Sequence, residues 1–256
     1  MESALCYVNE VDECQDPEVR RLLALPTTGR RLLSAARRVQ ASTGSALLKL
    51  SLEALPAEPI DSIGELEEAV RAACSFPLLP SILECAALAG APVMLRAQAP
   101  FSALMLRVNS RRMFSWLCRY PAAMQAALER IAERTAGALQ EALDSGIDMV
   151  SLADPSAMPE LLGEERYLRF AADMLVRELH RLEPPRGALV HLCPRASRAL
   201  EERGCLSARV IEAKPGNYPL AALGMAQREG VTLLGHRCVN CEWSSDTRMY
   251  ALRLTK

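Results

Sequence analysis

Three things are missing from this 256-residue chain, and each removes a class of function. It has no excess of charge: Lys+Arg number 30 against Asp+Glu 31, a formal net charge of -1. No basic field is therefore available to hold nucleic acid or an anionic membrane. It has no apolar run approaching the roughly 18 residues that a bilayer-spanning helix needs. Its first twenty residues carry Glu2, Glu10, Asp12, Glu13 and Asp16 and lack an apolar core segment, which predicts no secretory leader. Cysteine is not scarce. Nine cysteines, an odd number spread along the length, fit a reduced cytoplasmic protein better than a disulfide framework. With 50% apolar residues, material for a core is ample. The expectation is a soluble, cytoplasmic protein, with self-association left open.

The chain reads as alternating strands and helices. Residues 1–44 form a polar and then strongly helical region, with Asp16-Pro17 as a cap and first helical position and with Arg30, Arg31, Arg37 and Arg38 on a solvated helix face. Strands are expected at about 45–52, 92–99, 149–154, 188–193, 208–213 and 231–237. Asp61 to Glu68 opens a helix with an acidic first turn. A long α-rich block from Ser102 to Asp144 breaks near Tyr120-Pro121. Within it Met124, Ala127, Leu128, Ile131, Thr135, Ala138, Leu139 and Leu143 recur at helical spacing as a core stripe. Further helices are expected at about 164–182, 194–204 and 219–229. Such alternation argues for parallel strands with crossover helices in one α/β domain, a TIM-like (β/α) barrel or an open sheet. Polar residues gathered at strand C-termini then mark one face as the site.

The stretch richest in chemistry is Ala188-Leu189-Val190-His191-Leu192-Cys193-Pro194, an apolar run ending in His-x-Cys. Strand side chains alternate with a period of two, so His191 and Cys193 point the same way at a strand's C-terminal end. An imidazole beside a thiol suits zinc. Val231 to Cys238 repeats the arrangement, with His236, Cys238 and then Cys241. Five candidate ligands result, and the competing reading makes any one of these cysteines a small buried apolar residue. If Gly235 to Cys238 is extended, His236 and Cys238 share a face. Asp154, at the end of the segment 149–154, is an acid at a strand C-terminus.

Ala142 to Pro155, then His191-Leu192-Cys193, then Cys238 followed by Asp246-Thr247-Arg248-Met249-Tyr250-Ala251-Leu252, resemble the uroporphyrinogen decarboxylase superfamily over about residues 60–256. His-x-Cys with one distant downstream Cys resembles its zinc methyltransferase branch, which moves a methyl group from a methylated corrinoid protein to coenzyme M. The resemblance implies a (β/α)8 barrel with a catalytic zinc held by His191, Cys193 and Cys238 at its C-terminal mouth. It also implies a catalytic part for Glu212, which matches an acid near the metal, and for Asp154. His236 and Cys241 do not correspond to family ligands. Six strands rather than eight, and a shortened N-terminal region, imply a barrel that is incomplete or open. The Arg-rich motif that holds substrate carboxylates in the decarboxylases has no counterpart here, since Arg30-Arg31 and Arg37-Arg38 fall on a helix.

The implied chemistry is consistent with the residue types. A thiol is mostly protonated at neutral pH, whereas a metal-bound thiol is deprotonated outright. Two protein thiolates and an imidazole leave zinc near zero net charge, so a further bound thiolate keeps its nucleophilicity towards a cobalt-bound methyl of methylcobalamin. Three alternatives stand beside this: a non-catalytic scaffold with a closed structural zinc, zinc-assisted hydrolysis, and a decarboxylase-like enzyme.

Overall fold

A computed structural model describes residues 28–53, 58–213, 216–239 and 247–255. The expected Asp16-Pro17 cap and Cys241 lie outside these residues. The described chain is a mixed α/β structure built on one seven-stranded sheet: β1 (Leu48–Ser51), β2 (Val93–Gln98), β3 (Met149–Ala153), β4 (Leu189–Leu192), β5 (Leu206–Glu212), β6 (Leu233–Gly235) and β7 (Arg248–Leu254). The first four and β6 pair in parallel in the order β1-β2-β3-β4-β6; β7 then pairs antiparallel to β6, and β5 antiparallel to β7.

Among the described residues the sheet is the strand layer of a barrel that does not close. The spatial order departs from the sequence order at one place: β5 does not insert between β4 and β6, so β4 meets β6 directly and β5 becomes the far edge. The seventh strand is absent from the expected set of six. Its burial does not follow the period of two that marks a half-covered strand: Met249 and Leu252, three apart, are buried, and Arg248 and Arg253 are exposed.

The expected helices form for local reasons, and two with no counterpart among the expected elements, at Leu79–Ala89 and Pro159–Leu162, join them. Ser62 and Glu65 close a capping box ahead of α2 (Leu66–Ala73), which follows α1 (Gly29–Thr43). After α3 (Leu79–Ala89), the α-rich block divides into α4 (Pro100–Met105), α5 (Ser110–Arg119) and α6 (Pro121–Asp144). Proline at the first position of α4 and of α6 starts each helix, because its missing N–H has no partner to lose there. The whole predicted stripe of α6 is buried. Two short helices, α7 (Pro159–Leu162) and α8 (Glu164–Tyr167), lead through a π turn at Leu168–Ala172 into α9 (Asp173–Leu179). Then come α10 (Pro194–Glu202) and α11 (Tyr218–Glu229). Among the described residues no helix is long and apolar enough to cross a membrane. Their six cysteines, Cys74, Cys85, Cys118, Cys193, Cys205 and Cys238, are all free thiols.

Candidate functional site

Parallel strands deliver the residues after them to one end of the sheet. Glu53 follows β1, Gln98 ends β2, Asp154 follows β3, Cys193 follows β4, and His236 to Cys238 follow β6. Strand register puts Ser151 beside His191, and the Ser151 Oγ lies 3.1 Å from His191 Nδ1. The other ring nitrogen, Nε2, is 2.8 Å from the carbonyl oxygen of Arg237. A carbonyl only accepts, so Nε2 carries the proton and donates it, and Nδ1 accepts from the serine hydroxyl. Burial holds the imidazole neutral, its pKa lowered to about 4 against a lesser upward pull from the Arg237 carbonyl.

Cys193 stands at the N-cap of α10 with 7% of its surface exposed. Its sulfur makes no cap hydrogen bond. Burial raises its pKa, while the backbone N–H groups of Ala196, Asp154 and Arg195 pull the other way by favouring the thiolate. Burial wins, and the group is a thiol. Cys238 is buried as well, one residue after the carbonyl that holds His191.

Asp154 is the acid of this mouth. Its Oδ1 accepts from the N–H of Ser102 at 3.1 Å and from the Ser102 hydroxyl at 2.5 Å, and the same hydroxyl accepts from Ser156 N–H at 3.0 Å. Burial drives its pKa up to about 7 despite those hydrogen bonds. Two further acids join it. Glu53 accepts from the Gln98 N–H and is raised by burial. Glu178 on α9 is fully buried with neither carboxyl oxygen hydrogen-bonded; burial first, then the charges of Asp154 and Glu53, raise its pKa well above the ordinary value. Neither stands out as a site residue from its sequence motif, although both carry a signal. Glu53 follows a strand end as Asp154 does. Glu178 lies four residues after Met174 and three after Leu175, on the buried face of α9.

One expectation is corrected by these positions, and the condition under which His236 and Cys238 would share a face is not met. Glu212 does not reach the mouth: β5 lies three strand positions from β4, roughly 14 Å at the usual strand spacing, and Glu212 is exposed, accepting from the Thr247 hydroxyl at 3.3 Å. The physical reason is the direct β4–β6 pairing, which leaves no room for β5 between them. The segment Gly235 to Cys238 is not extended either. β6 ends at Gly235, and His236 turns with φ 62. Its Nε2 lies 3.3 Å from the Glu201 carboxylate and its ring 5.0 Å from that of Tyr250, so it turns to α10 and β7.

The donor chemistry of His191, Cys193 and Cys238 fits zinc: one imidazole with a hydroxyl behind its far nitrogen, and two buried thiols, one of them with backbone N–H groups that partly offset what burial costs its thiolate. As arranged, however, the three are not gathered into a ligand set, and among the described residues no group of three His, Cys, Asp or Glu side chains is. The Arg237 carbonyl is the reason at His191. For Nε2 to offer a lone pair, that carbonyl must leave and the proton must pass to Nδ1, where Ser151 can accept it.

Comparison with known proteins agrees with this architecture. The family model for uroporphyrinogen decarboxylase (URO-D) matches residues 57–236, which include His191 and Cys193 and stop two residues short of Cys238. No curated protein matches in sequence. A solved structure described as a methyltransferase from Methanosarcina mazei superposes with a TM-score of 0.50 at 16% identity, covering 73% of this chain and 64% of that one. The match thus spans less than two thirds of that protein's length, and the likeness is one of fold.

Proposed function

Because the chain belongs to the uroporphyrinogen decarboxylase family, we propose that it is a methyltransferase that moves a methyl group from a methylated corrinoid protein to a thiol acceptor such as coenzyme M. In this reading zinc is held by His191, Cys193 and Cys238, and the setting is the reducing cytoplasm. The single observation that carries the reading is the buried imidazole and two thiols that parallel β4 and β6 place at one end of a barrel-type sheet.

Bound zinc would supply the acidity that turns an acceptor thiol into a thiolate near neutral pH. The chain's own residues do the rest. Ser151 orients the His191 ring and offers the oxygen onto which an Nδ1 proton can be donated. The N–H groups around Cys193 stabilise its thiolate form. Asp154, poised to exchange a proton at about pH 7, can take up at its carboxylate the proton an arriving thiol gives up. Ser102 fixes that carboxylate through two hydrogen bonds.

A second reading, a non-catalytic scaffold, is favoured by the Arg237 carbonyl on His191 and by the unclosed barrel. Decarboxylation of a polycarboxylate is less well supported. The Arg-rich segment lies on α1, where Arg37 donates to the Ala89 carbonyl at 3.0 Å, spending one of its guanidinium donors on the end of α3. The deciding experiment loads the protein with zinc and follows cob(I)alamin formation from methylcobalamin with coenzyme M and with homocysteine. Thiol- and zinc-dependent demethylation that is lost in Cys193→Ser is the expected result. A folded, zinc-loaded protein that demethylates with neither thiol leaves the scaffold reading standing.

A further inference from the structure

One hydroxyl ties the two halves of this site together. Ser197, fully buried on α10, donates to the Cys193 carbonyl at 3.0 Å and accepts the His236 N–H at 2.8 Å. The next residue, Arg198, donates to the His236 carbonyl at 3.2 Å. Both polar groups of the His236 backbone are therefore held by consecutive side chains of the helix that Cys193 itself caps.

The residue so held is in an unusual conformation. Among the described residues His236 is the only non-glycine with positive φ, a region in which Cβ crowds the backbone. Left to itself a histidine prefers negative φ, and the chain after β6 would leave in another direction. The approach is also too close for a side chain at the preceding residue: a Cβ on Gly235 would sit 2.7 Å from Ser197 Cβ and 2.6 Å from Leu252 Cδ1. Glycine, the strained histidine and the buried serine together fix where the segment goes next. It carries the Arg237 carbonyl to His191 Nε2 at 2.8 Å and buries Cys238 immediately after.

We infer that Ser197 and His236 are positioning residues, a clamp by which α10 sets the Arg237 carbonyl against His191 and fixes the path of the segment that buries Cys238. The inference rests on the reading of those residues as one site, and its test separates the two. Two variants are used: Ser197→Ala, which removes the shared hydroxyl, and Arg198→Ala, an exposed position that leaves the core untouched. The first measurement needs no metal: alkylation of each cysteine by iodoacetamide, followed by mass spectrometry. Loss of one buried hydrogen bond should let the segment open about fivefold more often, so Cys238 labels about that much faster in Ser197→Ala and by a smaller factor in Arg198→Ala. Cys85, wholly buried in the core, keeps its rate. An unchanged Cys238 rate, or Cys238 and Cys85 rising together, overturns the clamp.

The second measurement is titration with Co2+, read by the thiolate-to-cobalt charge-transfer band. Because the clamp holds on His191 Nε2 the very carbonyl that must leave before the ring can ligate, affinity in Ser197→Ala should rise by about fivefold, the factor by which the segment opens more often; a fall overturns the clamp's part in the site. Equal affinity in wild type and both variants overturns the clamp's part in the site. If wild type binds no cobalt while Cys238 labelling still responds selectively, the clamp stands and the metal reading falls.

Discussion

Replacing Glu178 should make this protein more stable, an uncommon outcome for a change in a core. The side chain is wholly buried and neither carboxyl oxygen has a hydrogen-bond partner. Leaving such a polar group unsatisfied costs about 1–3 kcal/mol even when it is neutral. Ionisation costs more. The carboxyl's pKa is held well above its ordinary 4.5 by burial and by Asp154 and Glu53. The folded state therefore binds this proton more tightly than the unfolded state. The carboxyl does least harm below about pH 4.5, and stability is lost as pH rises from there towards the folded pKa, by up to about 1.4 kcal/mol per pH unit. Two variants separate the contributions. Glu178→Gln removes the ionisation but keeps an unsatisfied amide; Glu178→Met removes both. In urea denaturation followed by circular dichroism, Glu178→Met should exceed wild type by about 1–3 kcal/mol at pH 4.5. Both variants should then gain further on wild type between pH 5 and 7. A Glu178→Met protein less stable than wild type throughout, or a gap that does not change with pH, refutes the reasoning.

Asp154→Asn should flatten part of the pH dependence by the same logic. A pKa raised from 3.8 to about 7 is worth about 4 kcal/mol, present below pH 3.8 and lost by pH 8, and urea midpoints of wild type and variant across that range measure it. Gly235→Ala should destabilise by about 1–3 kcal/mol, because its Cβ would meet Leu252 and Ser197 below 3.0 Å in a packed site; a thermal melt checks it, and a neutral result shows that β6 can shift away from α10.

The elements legible in the sequence were those that local rules decide. The α6 stripe, the prolines that open α4 and α6, and the apolar runs of β2, β3 and β4 came out at or near their predicted places because periodicity and capping act within a few residues. Of the candidate site residues, His191, Cys193 and Asp154 lie at or just after the ends of β3 and β4 as their segments imply, and they and Cys238 are buried. What could not be read was which strands become neighbours. The run containing Glu212 forms a strand as expected, but its place at the edge beyond β7 depends on β4 and β6 pairing across the chain. The turn at His236 was hidden for a related reason. Nothing local favours positive φ at a histidine between Gly235 and Arg237; the contacts that impose it come from Ser197 and Arg198, about forty residues earlier in the chain.

The groups around this mouth share one electrostatic property. Burial pushes Asp154 up to about 7 and Glu178 well above its ordinary range, raises the Cys193 thiol, and lowers His191 to about 4. Each shift favours the uncharged form, so at neutral pH His191, Cys193 and Glu178 sit neutral and Asp154 is about half protonated, as expected of a poorly solvated cluster whose charges would otherwise go uncompensated. A dication entering such a cluster reverses every one of these preferences: thiols give up protons to become ligands, and nearby acids ionise to balance the charge. Its binding is then inseparable from proton release, and its affinity climbs with pH. The Arg237 carbonyl on His191 belongs to the same balance, since it satisfies the neutral ring's single N–H and would repel nothing until that proton is displaced. Holding these groups neutral and hydrogen-bonded keeps the cost of burying them low, and on the proposed zinc reading the segment carrying the Arg237 carbonyl is the part that would have to move when a dication binds.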